Sequence, residues 1–427
     1  VLCATCLAWA LGPASASATV GLAGLRADFT HQLSLAGDAS GAYVYDLTAK
    51  QPLFSERAKV PRPPASVEKL YTATTALALM GAEAHLTTAV LGSGQLGHGG
   101  VWEGSLYLRG GGDPTFGSPG FIASHYGGEG ASVEALANDL VTVVGIHEIT
   151  GSVVGDESYF DSLRGDPSTE YQPDPFLEGT LSGLAFNRGR TGSESGLHAP
   201  AAYAARELWR ALKGDGVKIA GRAKAGATPP TATTLAQVES PSLSRLLGLT
   251  LPPSDNFFAE TLIKDLGARF GGQGTTAAGA AVVRRTIAGD YGIHIHAVDG
   301  SGLSRSDATS PYQVTDLLTA LEPSADGAIL RDDLAIAGHT GTLSERMRGT
   351  AAAGRCEAKT GTLTGVSNLA GYCEAANGHL LAFAIFTDDL ATEAARTIQD
   401  HMTITLASSD LSEAELLPAR SSSRAHR

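Results

Sequence analysis

Three short strings lie in order along the chain: Ser66-Val67-Glu68-Lys69, Ser254-Asp255-Asn256 and Lys359-Thr360-Gly361. About 190 residues run from the first to the second, and about 100 from the second to the third. Each string alone has an ordinary explanation. An SxxK at a helix start usually caps the helix and exposes its lysine, SDN usually makes a turn or N-cap, and KTG usually marks a hairpin corner. Unrelated caps and turns have no reason to occur together in this order. If the three serve one site, the chain must fold three distant points onto one another. A structureless loop of about 190 residues does not fit inside a compact domain, so a folded unit is inserted between the first string and the second. This divides the chain into a split domain at 19–84 and 238–410, an insertion at 85–237 and a flexible polar tail at 411–427.

Local patterns fill in the frame. Gly41 to Leu47 alternates and turns at Thr48-Ala49-Lys50, as one strand of a hairpin does. Pro61, Pro63 and Pro64 force an extended approach to a helix that opens near Ser66. Val67, Leu70, Tyr71, Thr74, Leu77 and Ala78 recur there at helical spacing, and Gly81 is placed to end it. The insertion holds strand-like pieces at Leu106–Arg109 and Gly151–Val154, a helix at Ala202–Leu212, and a linker-like Thr228-Pro229-Pro230-Thr231. After the return, Asp255–Leu266 reads as a helix with Phe257, Phe258, Leu262 and Ile263 inward. Gly354–Gly361, Gly365–Cys373 and Leu380–Phe386 read as consecutive antiparallel strands, and Asp389–Leu406 as a closing helix. The expected class is α/β (α+β), an antiparallel sheet between helices.

The chain has 427 residues, 43% apolar and 18% charged, an ordinary globular profile for about two or three domains. Its net charge of −13 argues against nucleic acid as a partner, while leaving room for a local basic pocket facing a carboxylate. Val1–Leu11 is an apolar run too short to span a bilayer, and Pro13–Ala18 offers small-x-small cleavage sites after Ala16 or Ala18. Residues 1–18 therefore read as a secretory signal, truncated at its start because Met and a basic n-region are missing; a buried first helix is the alternative. No later segment is apolar for the length of a membrane anchor. Removing the signal leaves Cys356 and Cys373, equally far from the Thr364/Gly365 centre of a hairpin. They would face each other across the ladder within disulfide range, in an oxidising exported compartment; two small buried thiols are the alternative.

The three strings carry chemistry if they meet. The i, i+3 spacing puts Ser66 and Lys69 on one helix face, where Lys69 is the nearest base for a hydroxyl that is otherwise a poor nucleophile. A free lysine is neutral in only about one molecule in 2,500 at pH 7, so burial and a second positive charge, from Lys359, are expected to lower its pKa. Ser254 could relay a proton to the leaving group, and Asn256 could hold a substrate amide. The backbone N–H groups of Ser66 and Thr362 would form an oxyanion hole, and Lys359 and Thr360 would bind a substrate carboxylate. Gly338-His339-Thr340-Gly341-Thr342-Leu343 mimics the third string, but charged residues follow it and no apolar strand does, so Lys359 is preferred.

Around these cores lie PASVEKLYTATTAL, LYLRGGGDPTF, LAFNRG, SPSLSRLLGLTLPPSDNFFAETL, DGSGLSRSDATSP and RGTAAAGRCEAKTGTLTGVSNLAGY. Through them most of residues 40–400 resembles the D-alanyl-D-alanine carboxypeptidase/endopeptidase family of penicillin-binding protein 4, a low-molecular-mass class C group. The resemblance implies a serine peptidase acting on peptidoglycan stem peptides and acylated by penicillins, with no cofactor. It makes Ser66 the nucleophile, Lys69 the base, and Ser254, Asn256 and Lys359 the remaining core, with Thr360, Gly361 and Thr362 binding substrate. It also implies a pocket for the diaminopimelate side chain near Asp156, Phe160 and Arg305, where an acid would face the ammonium and Arg305 the carboxylate. Two departures stand out. The stretch from Phe186-Asn187-Arg188-Gly189 to His198-Ala199-Pro200 is very short, so an outer inserted domain is expected to be missing or vestigial. His339-Thr340 stands where relatives tend to have Asp before Gly-Thr-Leu. Rival readings are a serine β-lactamase of the same fold, for which no water-activating residue is evident, and an inactive wall-binding protein. His294-Ile295-His296 would put two imidazoles on one strand face, but no third ligand is visible and no metal is expected.

Overall fold

The computed structural model describes residues 20–191 and 198–411. The expected signal segment, and all of the expected tail but its first residue, lie outside them. The strands, in chain order, begin with β1 (Gly41–Asp46), β2 (Gln51–Glu56), β3 (Thr87–Leu96) and β4 (Val101–Arg109). Short strands follow: β5 (Glu148–Ile149), β6 (Val153–Asp156), β7 (Lys218–Ile219), β8 (Ala223–Ala225) and β9 (Thr233–Glu239). The last are β10 (Ala335–Ile336), β11 (Cys356–Leu363), β12 (Val366–Glu374) and β13 (Leu380–Asp388).

One sheet has the order β10-β11-β12-β13-β1-β2, with every neighbouring pair antiparallel. Its middle is covered on both faces, which explains why β13 is apolar at nearly every position instead of alternating. Leu381, Phe383 and Ile385 pack with Leu25, Phe29 and Leu33 of helix Leu22–Ala36 and with Met402 and Leu406 of helix Thr392–Ala407. Ala382, Ala384 and Phe386 face the other core, with Leu70 of helix Lys69–Met80, Ile263 of helix Asn256–Phe270 and Leu317 of helix Pro311–Leu321. Each such Leu or Phe contributes about 1.5–3 kcal/mol of burial.

Helix Lys69–Met80 is buried all round from Lys69 to Leu77, because it runs between the sheet and the helices Asn256–Phe270 and Thr276–Tyr291. Ala78, expected inward, is exposed; the last turn leaves the core before Gly81, which takes φ +83 and donates its N–H to Leu77 O at 3.0 Å. Cys356 and Cys373 are register partners, 4.0 Å apart at Cα, and are joined by a disulfide.

The second sheet draws its strands from residues between Thr87 and Glu239, in the order β7-β5-β4-β3-β9, with β6 running beside β4 and β8. Helices Val133–Thr142 and Pro200–Gly214 close a separate core that includes Leu106, Leu108, Leu136, Ile149, Val153 and Leu208. A smaller cluster joins Tyr126, Leu177 and Leu181 to Phe257 and Phe258. Through it the second unit packs on the helix that begins at Asn256. The His294–His296 stretch is not a strand: it makes a single bridge, His296 to Ala308, and both imidazoles are exposed. Among the described residues no group of His, Cys, Asp and Glu is placed to hold a metal ion, and no helix is long and apolar enough to cross a membrane.

Candidate active site

Ser66 sits in a 3₁₀ turn, Ala65–Glu68, that leads into helix Lys69–Met80. The turn is held from the sheet side. Asn368 of β12 donates to Pro63 O at 2.9 Å and to Pro64 O at 3.0 Å. Gly361 of β11 lies so close that a Cβ there would be 2.5 Å from Pro64 O and 3.1 Å from Ser66 N. Only glycine lets the third string cover the start of the first.

Lys69 is 1% exposed. Its Nζ donates to Ser66 Oγ at 2.9 Å, to Asn256 Oδ1 at 2.7 Å and to Ser301 O at 2.8 Å. These bonds use every donor of an ammonium. Two of the three acceptors, an amide oxygen and a backbone carbonyl, can only accept. On losing a proton, Lys69 therefore keeps its N–H bonds to Asn256 and Ser301 and turns its lone pair to Ser66. The geometry aims that lone pair at Ser66 Oγ.

Burial pulls the Lys69 pKa down to about 8, against the upward pull of Asp299, Glu260, Asp255 and Glu68. Several of those acids are themselves pushed up. Glu68, with neither carboxylate oxygen partnered, rises well above its usual range through burial and then through Asp299 and Glu260. Glu260 rises to about 8, first by burial and then by Asp299; its Oε1 accepts Gly300 N–H at 2.9 Å and Ser301 N–H at 2.8 Å. Of the two expected causes, burial is the one that lowers Lys69, and Lys359 adds nothing to it. Lys359 is itself held well below its usual range by burial and then by the charge of Lys69. Its Nζ donates to Thr360 O at 2.9 Å.

Ser66, Ser254, Asn256, Thr360 and Thr362 line one cavity of about 220 Å³, so members of all three strings converge on it. Ser254 enters at φ +65, a left-handed conformation uncommon for a non-glycine residue. The remaining wall was not foreseen. Thr342, from the segment set aside as a mimic of the third string, lines the cavity and accepts from Thr360 Oγ1 at 2.8 Å. Arg346 and Arg396 line it too, paired with Asp400 at 2.7 Å and Glu393 at 3.0 Å. A chain of net charge −13 thus places two guanidinium groups in the wall of the cavity that Ser66 lines. Arg346 had counted only as part of a charged run; its pairing with Asp400 spans 54 residues, which no local pattern reveals.

Asp156 and Phe160 share a different cavity, of about 280 Å³, with Ser158 and Gly226. Burial opposes the Asp156 charge, but bonds from Thr228 and Ser158 outweigh it and hold the carboxyl below its usual value; the two N–H groups lie at 2.7 and 2.9 Å. The neighbouring Tyr159 donates to Asp265 at 2.8 Å, about 13 Å along the helix from Asn256. Arg305 is not in that wall; it donates to Thr364 O at the β11–β12 turn, just beyond Thr362. Two further residues escaped the sequence. Arg188, in LAFNRG, is 5% exposed and pairs with Asp255 at 2.6 and 3.0 Å. Phe176 O accepts from Asn256 Nδ2 at 2.9 Å.

Known proteins resemble this chain in sequence and in fold. The chain is 29% identical to D-alanyl-D-alanine carboxypeptidase of Actinomadura sp. (strain R39), over 88% of this chain and 82% of that protein. It is 30% identical to carboxypeptidase DacB of Mycolicibacterium smegmatis, over 83% and 77%. The crystal structure of penicillin binding protein 4 (dacB) from Haemophilus influenzae shares the fold at a TM-score of 0.73 and 21% identity, covering 88% of this chain and 98% of that one. A family model matches residues 25–174 and 181–409, and the chain belongs to the D-Ala-D-Ala carboxypeptidase 3 (S13) family.

Proposed function

We propose that Ser66 attacks the carbonyl of a D-Ala-D-Ala bond in a peptidoglycan stem peptide, or of a peptide cross-link, through an acyl-serine intermediate that β-lactams also form. Neutral Lys69 takes the hydroxyl proton as Ser66 Oγ bonds to the carbonyl carbon. The oxyanion is met by the N–H groups of Ser66 and Thr362. Collapse breaks the peptide bond, and the amine leaves with a proton passed from Lys69 through Ser254. Water then adds to the ester, a proton returns to Ser66 Oγ, and the shortened peptide is released. Thr360 and Thr362 bind the substrate carboxylate beside the arginine wall, with Lys359 buried behind them.

The observation that carries this assignment is the Lys69 Nζ, 2.9 Å from Ser66 Oγ with its other donors tied to obligate acceptors. The second sheet, within 85–237, acts as a substrate-recognition insertion in the split domain 19–84 and 238–410. Asp156 and Phe160 form the side-chain pocket of a diaminopimelate residue, and Arg305, at the β11–β12 turn, stands apart from it. The Cys356–Cys373 disulfide supports an exported protein working in the cell wall or an equivalent space. Incubation with a peptide ending in D-Ala-D-Ala should release one D-Ala per peptide, and Ser66→Ala should abolish the release. A penicillin ester that hydrolyses within milliseconds would mean a β-lactamase instead.

A further inference from the structure

Both residues that follow Ser254 are held from the inserted stretch as well as from the split domain. Arg188 is buried, and its fork grips both oxygens of Asp255 while two more of its N–H groups bind Glu178 O at 3.0 Å and Leu177 O at 3.2 Å. The guanidinium lies over the Phe257 ring, 4.8 Å from its centroid. Asp255 also caps the helix it starts, accepting Phe258 N–H at 3.0 Å. One residue along, Asn256 gives Nδ2 to Phe176 O and Oδ1 to Lys69.

The amide of Asn256 has an accepting end and a donating end. If it turned over, its NH₂ would face the Lys69 ammonium and the acceptor that orients the lone pair would be lost. Phe176 O prevents this by taking the NH₂. The Phe176 carbonyl belongs to the turn Pro175–Leu177, which Arg188 pins at Leu177 O and Glu178 O. Arg188 therefore acts on both ends of the contact: it fixes Asp255 before Asn256, and it fixes the turn that Asn256 donates to.

We propose that Arg188 is a positioning residue for the acyl-transfer site, through which the inserted stretch 174–190 sets the orientation of Asn256 and aims Lys69 at Ser66. This deepens the function proposed above and rests on Lys69 acting as the base. It makes the insertion part of the catalytic assembly as well as a surface for recognising substrate. Activity is then sensitive to movement of the insertion relative to the helix Asn256–Phe270, without any insertion residue touching the reacting atoms.

The test is the pH profile of acylation by benzylpenicillin in the full chain, read beside the thermal melt. The groups around Lys69 are Glu68, Asp255, Glu260, Asp299 and Lys359, and Tyr126 lies beside Arg188. Arg188→Met leaves the Asp255 carboxylate unbalanced and Asn256 loosely held. Acylation should slow by about 10- to 100-fold, and its acid limb should move to higher pH by roughly half a unit. Asp255→Asn removes the carboxylate that raises Lys69, so its limb should move to lower pH. The double variant should be less impaired than the two losses multiplied together.

Arg188→Lys keeps a charge but loses the fork; it carries the test if the methionine variant does not fold, and it too should acylate more slowly. A lowered melt with unchanged acylation rate and unchanged limb in either Arg188 variant would reduce Arg188 to a structural ion pair and overturn the proposal. Failure of the unmodified chain to be acylated would instead count against Ser66 and Lys69 as the reacting pair.

Discussion

Lowering the pH is the mildest way to disable this site, because it acts on the proton of Lys69. With a pKa of about 8, Lys69 is neutral in about one molecule in eleven at pH 7, against about one in 2,500 for a free lysine. Burial thus raises the population of active base by about 200-fold. The sign is fixed by the chemistry: the working form is deprotonated, so the rate rises with pH through the folded pKa and levels off above it. The second-order rate of acylation by benzylpenicillin, followed by stopped-flow from pH 5.5 to 9.5, should fall about tenfold per unit below pH 8. Glu260, also near 8, gains charge as Lys69 loses it, which would broaden the limb without reversing it. A rate independent of pH from 6 to 9 would refute Lys69 as a base that titrates in this range. A limb near 10 would refute the part assigned to burial.

Other outcomes follow from particular contacts. Asp156→Ala should impair peptides with a free diaminopimelate amine more than a simple D-Ala-D-Ala tripeptide, in kcat/KM; equal losses would remove Asp156 from the side-chain pocket. Titration of the denatured protein without residues 1–18 should find no free thiol until reductant is added, and two thiols without reductant would remove the Cys356–Cys373 bridge. Reducing the bridge, which spans 17 residues, should cost about 3 kcal/mol in denaturant unfolding. Gly361→Ala drives a methyl against Pro64 O and should cut acylation far more than it lowers the melt; an unchanged rate would show that β11 can move away from Ser66.

The reactive core was legible because each of its strings is local. SVEK needs only a helix start, SDN an N-cap and KTG a strand, and each of those signals lies within a few neighbouring residues. β11, β12 and β13 were legible for a related reason: short turns join them, and burial on both faces makes β13 almost wholly apolar. What stayed hidden depends on partners far away. Arg188 meets Asp255 across 67 residues and Ser301 O meets Lys69 across 232, and a backbone carbonyl such as Phe176 O leaves no mark in the side-chain sequence at all. The expected influence of Lys359 on Lys69 runs the other way: Lys359 is pushed down by burial and by the charge of Lys69, while burial is what lowers Lys69. The His294–His296 pattern misled in the other direction, since a short alternation with a single bridging partner need not become a strand.

The central claim is that Ser66, and not another hydroxyl of the cavity, carries the acyl group. Protein treated with benzylpenicillin, digested and mapped by mass spectrometry, should carry one adduct, on the peptide containing Ser66. The Ser66→Ala variant should carry none while melting at nearly the same temperature. An adduct on Ser254 or Thr362, or one that persists without Ser66, would contradict the account.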